Sequence, residues 1–218
     1  MKTKRILYYI LMYLPLLAAV LALPFLPDQI PAHYGFDGQV TRWGSKFEFL
    51  IFPVMTILFG LFMLAMAKIA AKQEGTGKNN ENVTLMTGLL TLGLFNAMTG
   101  YALYTDFHKV ENLEQLSVAP TQLIFGFLGI LMVISGNLMP KVKMNSVIGV
   151  RTSWSMKNEV TWKKTQRFGG ILFILSGIAV LLVSQMTQQD TCMIASLSIL
   201  IAAALIGVLY SYLIAKKN

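Results

Sequence analysis

Apolar and polar positions alternate along this chain in long blocks: six stretches free of Asp, Glu, Lys and Arg, separated by short polar segments. The stretches run from Ile6 to Pro27, Phe49 to Ala67, Asn82 to Thr105, Gln115 to Pro140, Phe168 to Gln189 and Thr191 to Ala215. A helix needs ~20 mostly apolar residues to cross ~30 Å of hydrocarbon, and a helix satisfies its own backbone polar groups there. The pattern predicts an all-α fold, a polytopic membrane helix bundle with six transmembrane helices. Pro15 predicts a bend in the first helix. Ala203, Gly207 and Ser211, four residues apart, predict a small-residue face that packs closely on a neighbour. Thr84, Thr87, Thr91, Asn96 and Asn137 are read as hydrogen-bonding partners between helices.

Composition agrees: 55% of residues are hydrophobic and 13% charged, against ~25% charged in soluble domains. Charge adds an orientation. If the N-terminus is cytoplasmic, fifteen of the eighteen Lys and Arg fall on the inner side, seven of them between Lys141 and Arg167, and only Arg42, Lys46 and Lys109 lie outside. The positive-inside rule therefore predicts both termini inside, N-in/C-in. The net charge of +8 is read as this topology signal; no basic stripe points to direct nucleic acid binding. The first run is too long for a signal peptide and lacks its cleavage spacing, so it is read as a retained span.

Chemistry is sparse. Cys192 is the single cysteine, which excludes an internal disulfide and a cysteine-based zinc site. His33 and His108 fall in different outer loops with no nucleophile tied to either by pattern. The glycine-rich patches Gly75-Thr76-Gly77-Lys78 and Gly169-Gly170 do not form a phosphate-binding loop. The expectation is no enzyme, no cofactor and no metal. No acidic residue sits in the middle of a span, where ion-coupled carriers place ionisable groups.

Two loops stand out. The outer one, residues 30–46, reads IPAHYGFDGQVTRWGSK. Asp37-Gly38 is a strong type I′ hairpin signal, so a small outer β-hairpin loop is expected, pairing Phe36 with Gln39, Tyr34 with Thr41 and Ala32 with Trp43. These six would share one aromatic face, with His33, Gly35, Val40 and Arg42 on the other. Such a face suits the headgroup region of the lipid bilayer, or a recognition surface for something arriving from outside. The inner loop is the basic segment 141–167. Its Asn158 can cap a helix through Glu159, Trp162 and Arg167, with Glu159 at the positive end, and Trp162, Gln166 and Gly169 would share a face. The seven basic residues would draw this segment to anionic lipid at ~1 kcal/mol each. Alternatively, Arg151 and Thr152, on a turn begun by Gly149, form a polar dock.

The outer residues Pro31, His33, Tyr34, Gly38 and Lys46, with Gly44 and Ser45, resemble the P-x-H-aromatic…G…G-S-K signature of a bacterial membrane domain of unknown function that accompanies the SdpI family. Gly35 replaces a common Asn, and Thr41 stands where an acidic residue or Asn is frequent. The inner residues Asn145, Ile148, Gly149, Arg151, Thr152, Trp154, Asn158, Glu159, Trp162, Lys164, Thr165, Arg167, Gly169 and Gly170 resemble the more specific signature of the SdpI family itself. Ser153 stands where Pro is usual, and Gln166 where His or Asn is usual. On this resemblance residues 1–72 form a first transmembrane pair carrying the outer loop, and residues 73–218 a four-helix SdpI-like region carrying the inner one.

The resemblance implies an immunity protein of the bacterial plasma membrane, one that protects against a secreted, membrane-acting peptide toxin. It implies too that the protein can signal by holding a transcriptional repressor at the membrane. The toxin would meet the outer loop, Trp43 included, and the repressor the inner one. A small-molecule permease or efflux component is the competing reading, and a purely structural membrane subunit a third.

Overall fold

Each apolar run folds into one helix. The computed structural model describes residues 2–35, 37–72, 77–187 and 189–217. In chain order the helices are α1 (Lys2–Ala22), α2 (Ile51–Ala71), α3 (Gly77–Phe107), α4 (Pro120–Leu138), α5 (Glu159–Met186) and α6 (Gln189–Lys217), and strands β1 (Gln29–Tyr34) and β2 (Val40–Ser45) form a hairpin between α1 and α2. All six helices are long and apolar enough to span a bilayer, and the protein is a multi-pass membrane protein. Large apolar side chains such as Ile6, Leu21, Phe62, Leu175 and Leu205 point outward, as a surface facing lipid requires. The polar turn expected at Gly75–Lys78 lies largely outside the described residues.

The helices pack as two groups of three, α1–α2–α3 and α4–α5–α6, joined where α3 meets α4. In the first group Tyr8 is the wedge. Its ring abuts Gly88 of α3, and its hydroxyl, buried, donates to the Gly60 carbonyl of α2 at 2.9 Å. In the second group α4 and α5 approach backbone to backbone at two levels. A Cβ on Gly136 would lie 2.6 Å from the Gly170 carbonyl oxygen, and one on Gly129 would lie 2.8 Å from that of Gly177. The stripe expected on α6 is buried at Ala203, Gly207 and Ser211, but more loosely: a Cβ on Gly207 would meet only Leu172, at 3.8 Å.

Helix α1 runs unbroken through Pro15. Proline has no N–H, so the Leu11 carbonyl four residues back loses its helical donor. Asn96 of α3 supplies one instead, its Nδ2 donating to Leu11 O at 2.8 Å and to its own helix at Leu92 O. The threonines of α3 behave differently from expectation. Thr84, Thr87 and Thr91 donate to carbonyls four residues back in their own helix, which an isolated hydroxyl in hydrocarbon readily does. Asn96→Leu should therefore lower stability by about 1–3 kcal/mol, since a buried carbonyl loses its partner. Adding Pro15→Ala should restore most of that, because α1 then pairs the carbonyl itself. Thermal unfolding of the two variants in detergent checks both; no recovery in the double variant would place the cost elsewhere.

Candidate functional site

The two loops sit at opposite ends of the bundle. At one end the hairpin forms, but with a longer turn than Asp37-Gly38 predicts. Gly35 N–H donates to Gln39 O at 2.8 Å, so the chain reverses between these two residues, and Gly38 takes a left-handed φ of +73°. This is the geometry of a three-residue hairpin loop, which ends on a glycine in that region. The register shifts accordingly. Pro31 pairs with Trp43, His33 with Arg42 and Tyr34 with Val40, with irregularities on both sides of His33. The pairs expected for Ala32–Trp43 and Tyr34–Thr41 are corrected; the Phe36–Gln39 pair lies outside the described residues. Nor do the faces sort as alternation predicts, for His33 Nδ1 lies 2.6 Å from Thr41 Oγ1, while Arg42 shares a cleft with Tyr34 and Ala32.

A third segment explains the shift. The connection between α3 and α4 adds to the hairpin edge: Val40 N–H donates to Glu111 O at 3.0 Å and Leu113 N–H to Gly38 O at 2.9 Å. The Tyr34 hydroxyl donates to Val110 O at 2.8 Å, and burial raises its pKa. Below, Ser45 caps the turn into α2, with Glu48 returning to the Ser45 N–H. Arg42 meets both Glu48 oxygens, at 3.2 and 2.8 Å, and this partner raises its pKa. Lys46 pairs with Asp28 at 2.9 Å, which lowers the Asp28 pKa. Pro31 and Gly38 are buried, while His33 and Trp43 are exposed.

Under the hairpin lies a cleft of about 460 Å³, floored by the hairpin-end half of α3 and walled by the start of α2 and of α4. Its lining is mostly apolar, from Ile30, Phe52 and Met98, with Tyr34, Tyr101 and Asp106 among the polar members. Asp106 was out of view in the sequence because it stands one residue past the charge-free run ending at Thr105. In the structure α3 continues to Phe107, which carries Asp106 inward to 3% exposure.

At the opposite end the segment between α4 and α5 is a built loop. Asn145 uses its whole side chain: Nδ2 donates to Lys143 O and Ile148 O, and Oδ1 accepts from Val147 N–H and Ile148 N–H, all within 3.0 Å. Asn80 of α3 clamps the Lys143 backbone on both its N–H and its carbonyl. Trp162, 1% exposed, donates its indole N–H to Val142 O at 2.8 Å. Gly149 has φ +110°, and next to it Gln166 brackets Val150, accepting from its N–H and donating to its carbonyl, both at 3.0 Å. Gln166, which the sequence places on one face with Trp162 and Gly169 and otherwise shows as a departure from a pattern, is thus the strap.

Farther along, Thr152 and Ser155 bond each other's backbone, and Thr152 Oγ1 reaches Ser211 Oγ of α6 at 2.9 Å. Asn158 caps α5 as expected, accepting from Thr161 N–H at 2.8 Å. Trp162, Gln166 and Gly169 share the buried face of α5, and Thr165 lies with them. Arg151, Trp154, Glu159 and Arg167 remain exposed. Trp154 packs edge-on against Tyr212 with ring centroids 5.3 Å apart, and Glu159 lies 3.5 Å from Lys163. The candidate inner residues therefore divide into a buried or half-buried scaffold and an exposed set of two arginines, a tryptophan and a glutamate. Among the described residues no group of His, Cys, Asp and Glu is arranged to hold a metal.

Comparison with known proteins matches both ends. Residues 141–211 match the SdpI/YfhL protein family, and residues 10–57 match a domain of unknown function, DUF1648. The chain is 25% identical over 217 residues to Immunity protein SdpI of Bacillus subtilis (strain 168), covering 98% of this chain and 97% of that one. No solved structure matches.

Proposed function

We propose that this chain, whose last two spans and the loop before them match the SdpI/YfhL protein family, is an integral membrane immunity protein that protects its cell against a secreted, membrane-acting peptide. The observation that carries this reading is the likeness to Immunity protein SdpI along the whole chain, both loops included. The hairpin end faces outward and both termini face the cytoplasm, in keeping with the positive-inside rule. Of the outer residues Pro31, His33, Tyr34, Gly38, Trp43 and Lys46, His33 and Trp43 are the exposed ones and face an arriving peptide. Tyr34, Gly38 and Lys46 instead hold the hairpin to its neighbours.

On the cytoplasmic side the exposed Arg151, Trp154, Glu159 and Arg167 form the surface that meets a transcriptional repressor. A cationic, aromatic patch of this kind suits an acidic partner segment. Asn145, Gly149, Thr152, Trp162 and Thr165 shape that surface from beneath. No catalytic step is assigned.

Removing the gene should make cells sensitive to medium conditioned by their wild-type siblings, and the intact chain should restore survival. Trp43→Ala at matched membrane abundance should restore it only partly. In the same cells a cysteine at Asp37, an exposed position, should react with an impermeant thiol reagent before lysis. Survival unchanged by removal of the gene, with altered export of a small solute, would replace immunity with a permease; labelling only after lysis would invert the orientation.

A further inference from the structure

We propose that the cleft beneath the hairpin is a receptor site for the cationic side chain of an apolar peptide, with Asp106 as the anion that receives it. This rests on the reading that the hairpin end meets a peptide. Asp106 is a buried residue, 3% exposed overall, lines the cleft, and has no side-chain hydrogen bond or ion pair among the described residues. Buried acids are normally paired.

Neither the cation in the cleft nor the basic residues next along the chain serve it. Arg42, which also lines the cleft, is occupied by Glu48 in a two-pronged pair. His108 turns back to the Tyr104 carbonyl at 2.8 Å and stacks on the Tyr104 ring. Lys109 is exposed on the turn beyond the helix. The carboxyl group is therefore placed without a partner at the inner wall of a mostly apolar pocket, where an arriving cation would favour its charged form.

The rest of the lining sets the ligand class. A cleft of about 460 Å³ lies within the range of ~300–1,000 Å³ that holds small ligands and anchoring side chains. Ile30, Phe52 and Met98 offer apolar contact, and Tyr34 and Tyr101 add aromatic rings to the lining, a side-chain type that attracts cations. On the α2 wall Ile51 and Met55 also line the cleft and are more than half exposed, so it is continuous with the lipid-facing surface of the bundle. A ligand that suits all of this is a hydrophobic segment already partitioned into the bilayer, bearing one lysine or arginine among apolar neighbours. An anionic or purely apolar segment would leave the carboxyl unpaired.

The test uses the full chain in zwitterionic lipid nanodiscs and two end-capped synthetic peptides, acetyl-Leu-Leu-Lys-Leu-Leu-amide and its counterpart with norleucine for lysine, with empty nanodiscs subtracted. Wild type should bind the lysine peptide at least tenfold more tightly than the norleucine one. Asp106→Asn should abolish that preference while leaving norleucine-peptide binding unchanged, and Asp28→Asn, at an exposed acid, should keep it. A preference that survives in Asp106→Asn overturns the proposal.

Should Asp106→Asn fail to fold, wild type alone decides. Dicyclohexylcarbodiimide, which attacks carboxyl groups in apolar surroundings, should modify Asp106, and the lysine peptide but not the norleucine peptide should protect it. Equal protection by both overturns the proposal. Lost charge preference in a chain that still confers survival would remove the cleft and spare the immunity reading; charge preference in a chain that confers no survival would do the reverse.

Discussion

Gly136→Leu should leave almost no folded protein in the membrane, and even Gly136→Ala should cost about 3 kcal/mol, the upper end of what overpacking a close-packed interior costs. The atom in the way is the Gly170 backbone carbonyl oxygen, 2.6 Å from where the new Cβ would stand. A backbone oxygen cannot rotate aside, so α4 and α5 would have to part along their whole length, and the second level at Gly129 and Gly177 would open with the first. Gly170→Ala should do equal harm from the facing helix. Gly207→Ala, which meets only the tip of Leu172, should be tolerated, as should Gly93→Ala, where nothing lies within 4 Å and alanine favours the helix by ~0.5–1 kcal/mol. Thermal midpoints in detergent rank the four alanine variants; a loss at Gly207 matching that at Gly136 would mean that the α4–α5 seam is no tighter than the packing of α6.

Asn145→Ala should collapse the loop between α4 and α5 while leaving the spans in place. Four bonds are lost at once, only the Lys143 carbonyl keeping a second donor in Asn80, and at roughly 1 kcal/mol net for each bond the local cost is about 3–4 kcal/mol. Asn145→Asp divides that cost. An aspartate still accepts from the Val147 and Ile148 N–H groups but cannot donate to the Lys143 and Ile148 carbonyls, so it should sit between the other two. In inside-out vesicles, protease should cut between residues 142 and 158 fastest in Asn145→Ala, more slowly in Asn145→Asp and slowest in wild type. Equal rates in all three would show that Trp162 and Gln166 hold the loop without Asn145.

The helices were legible because a bilayer asks only for length and apolarity, and both are local properties. The hairpin was legible in kind and wrong in register. Asp37-Gly38 announces a turn, but which turn forms depends on Glu111 and Leu113, more than seventy residues away and bonded to the same edge. On α6 the four-residue stripe was readable within one helix, and it is buried as expected. The tighter α4–α5 seam consists of glycines seven apart on each helix, and single-helix spacing does not say which helix answers which. Asp106 was invisible for a simpler reason. A charge beyond the end of an apolar run reads as loop, and only the two further residues of helix that the structure shows carry it under the hairpin. Gln166 was noticed as an exception, yet its carboxamide makes the paired contact with Val150 that fastens loop to helix.

The bond from Asn96 to the Leu11 carbonyl bears on biogenesis. The chain is made from its N-terminus, so α1 enters the bilayer with one acceptor left open by Pro15, and the side chain that closes it is synthesised 85 residues later. An open carbonyl in hydrocarbon costs free energy, so α1 is better kept beside the insertion machinery or the headgroups until α3 arrives than released alone into lipid. Assembly of the first three helices thereby becomes a single delayed event, and truncated nascent chains ending before Asn96 should be the forms that membrane quality control removes.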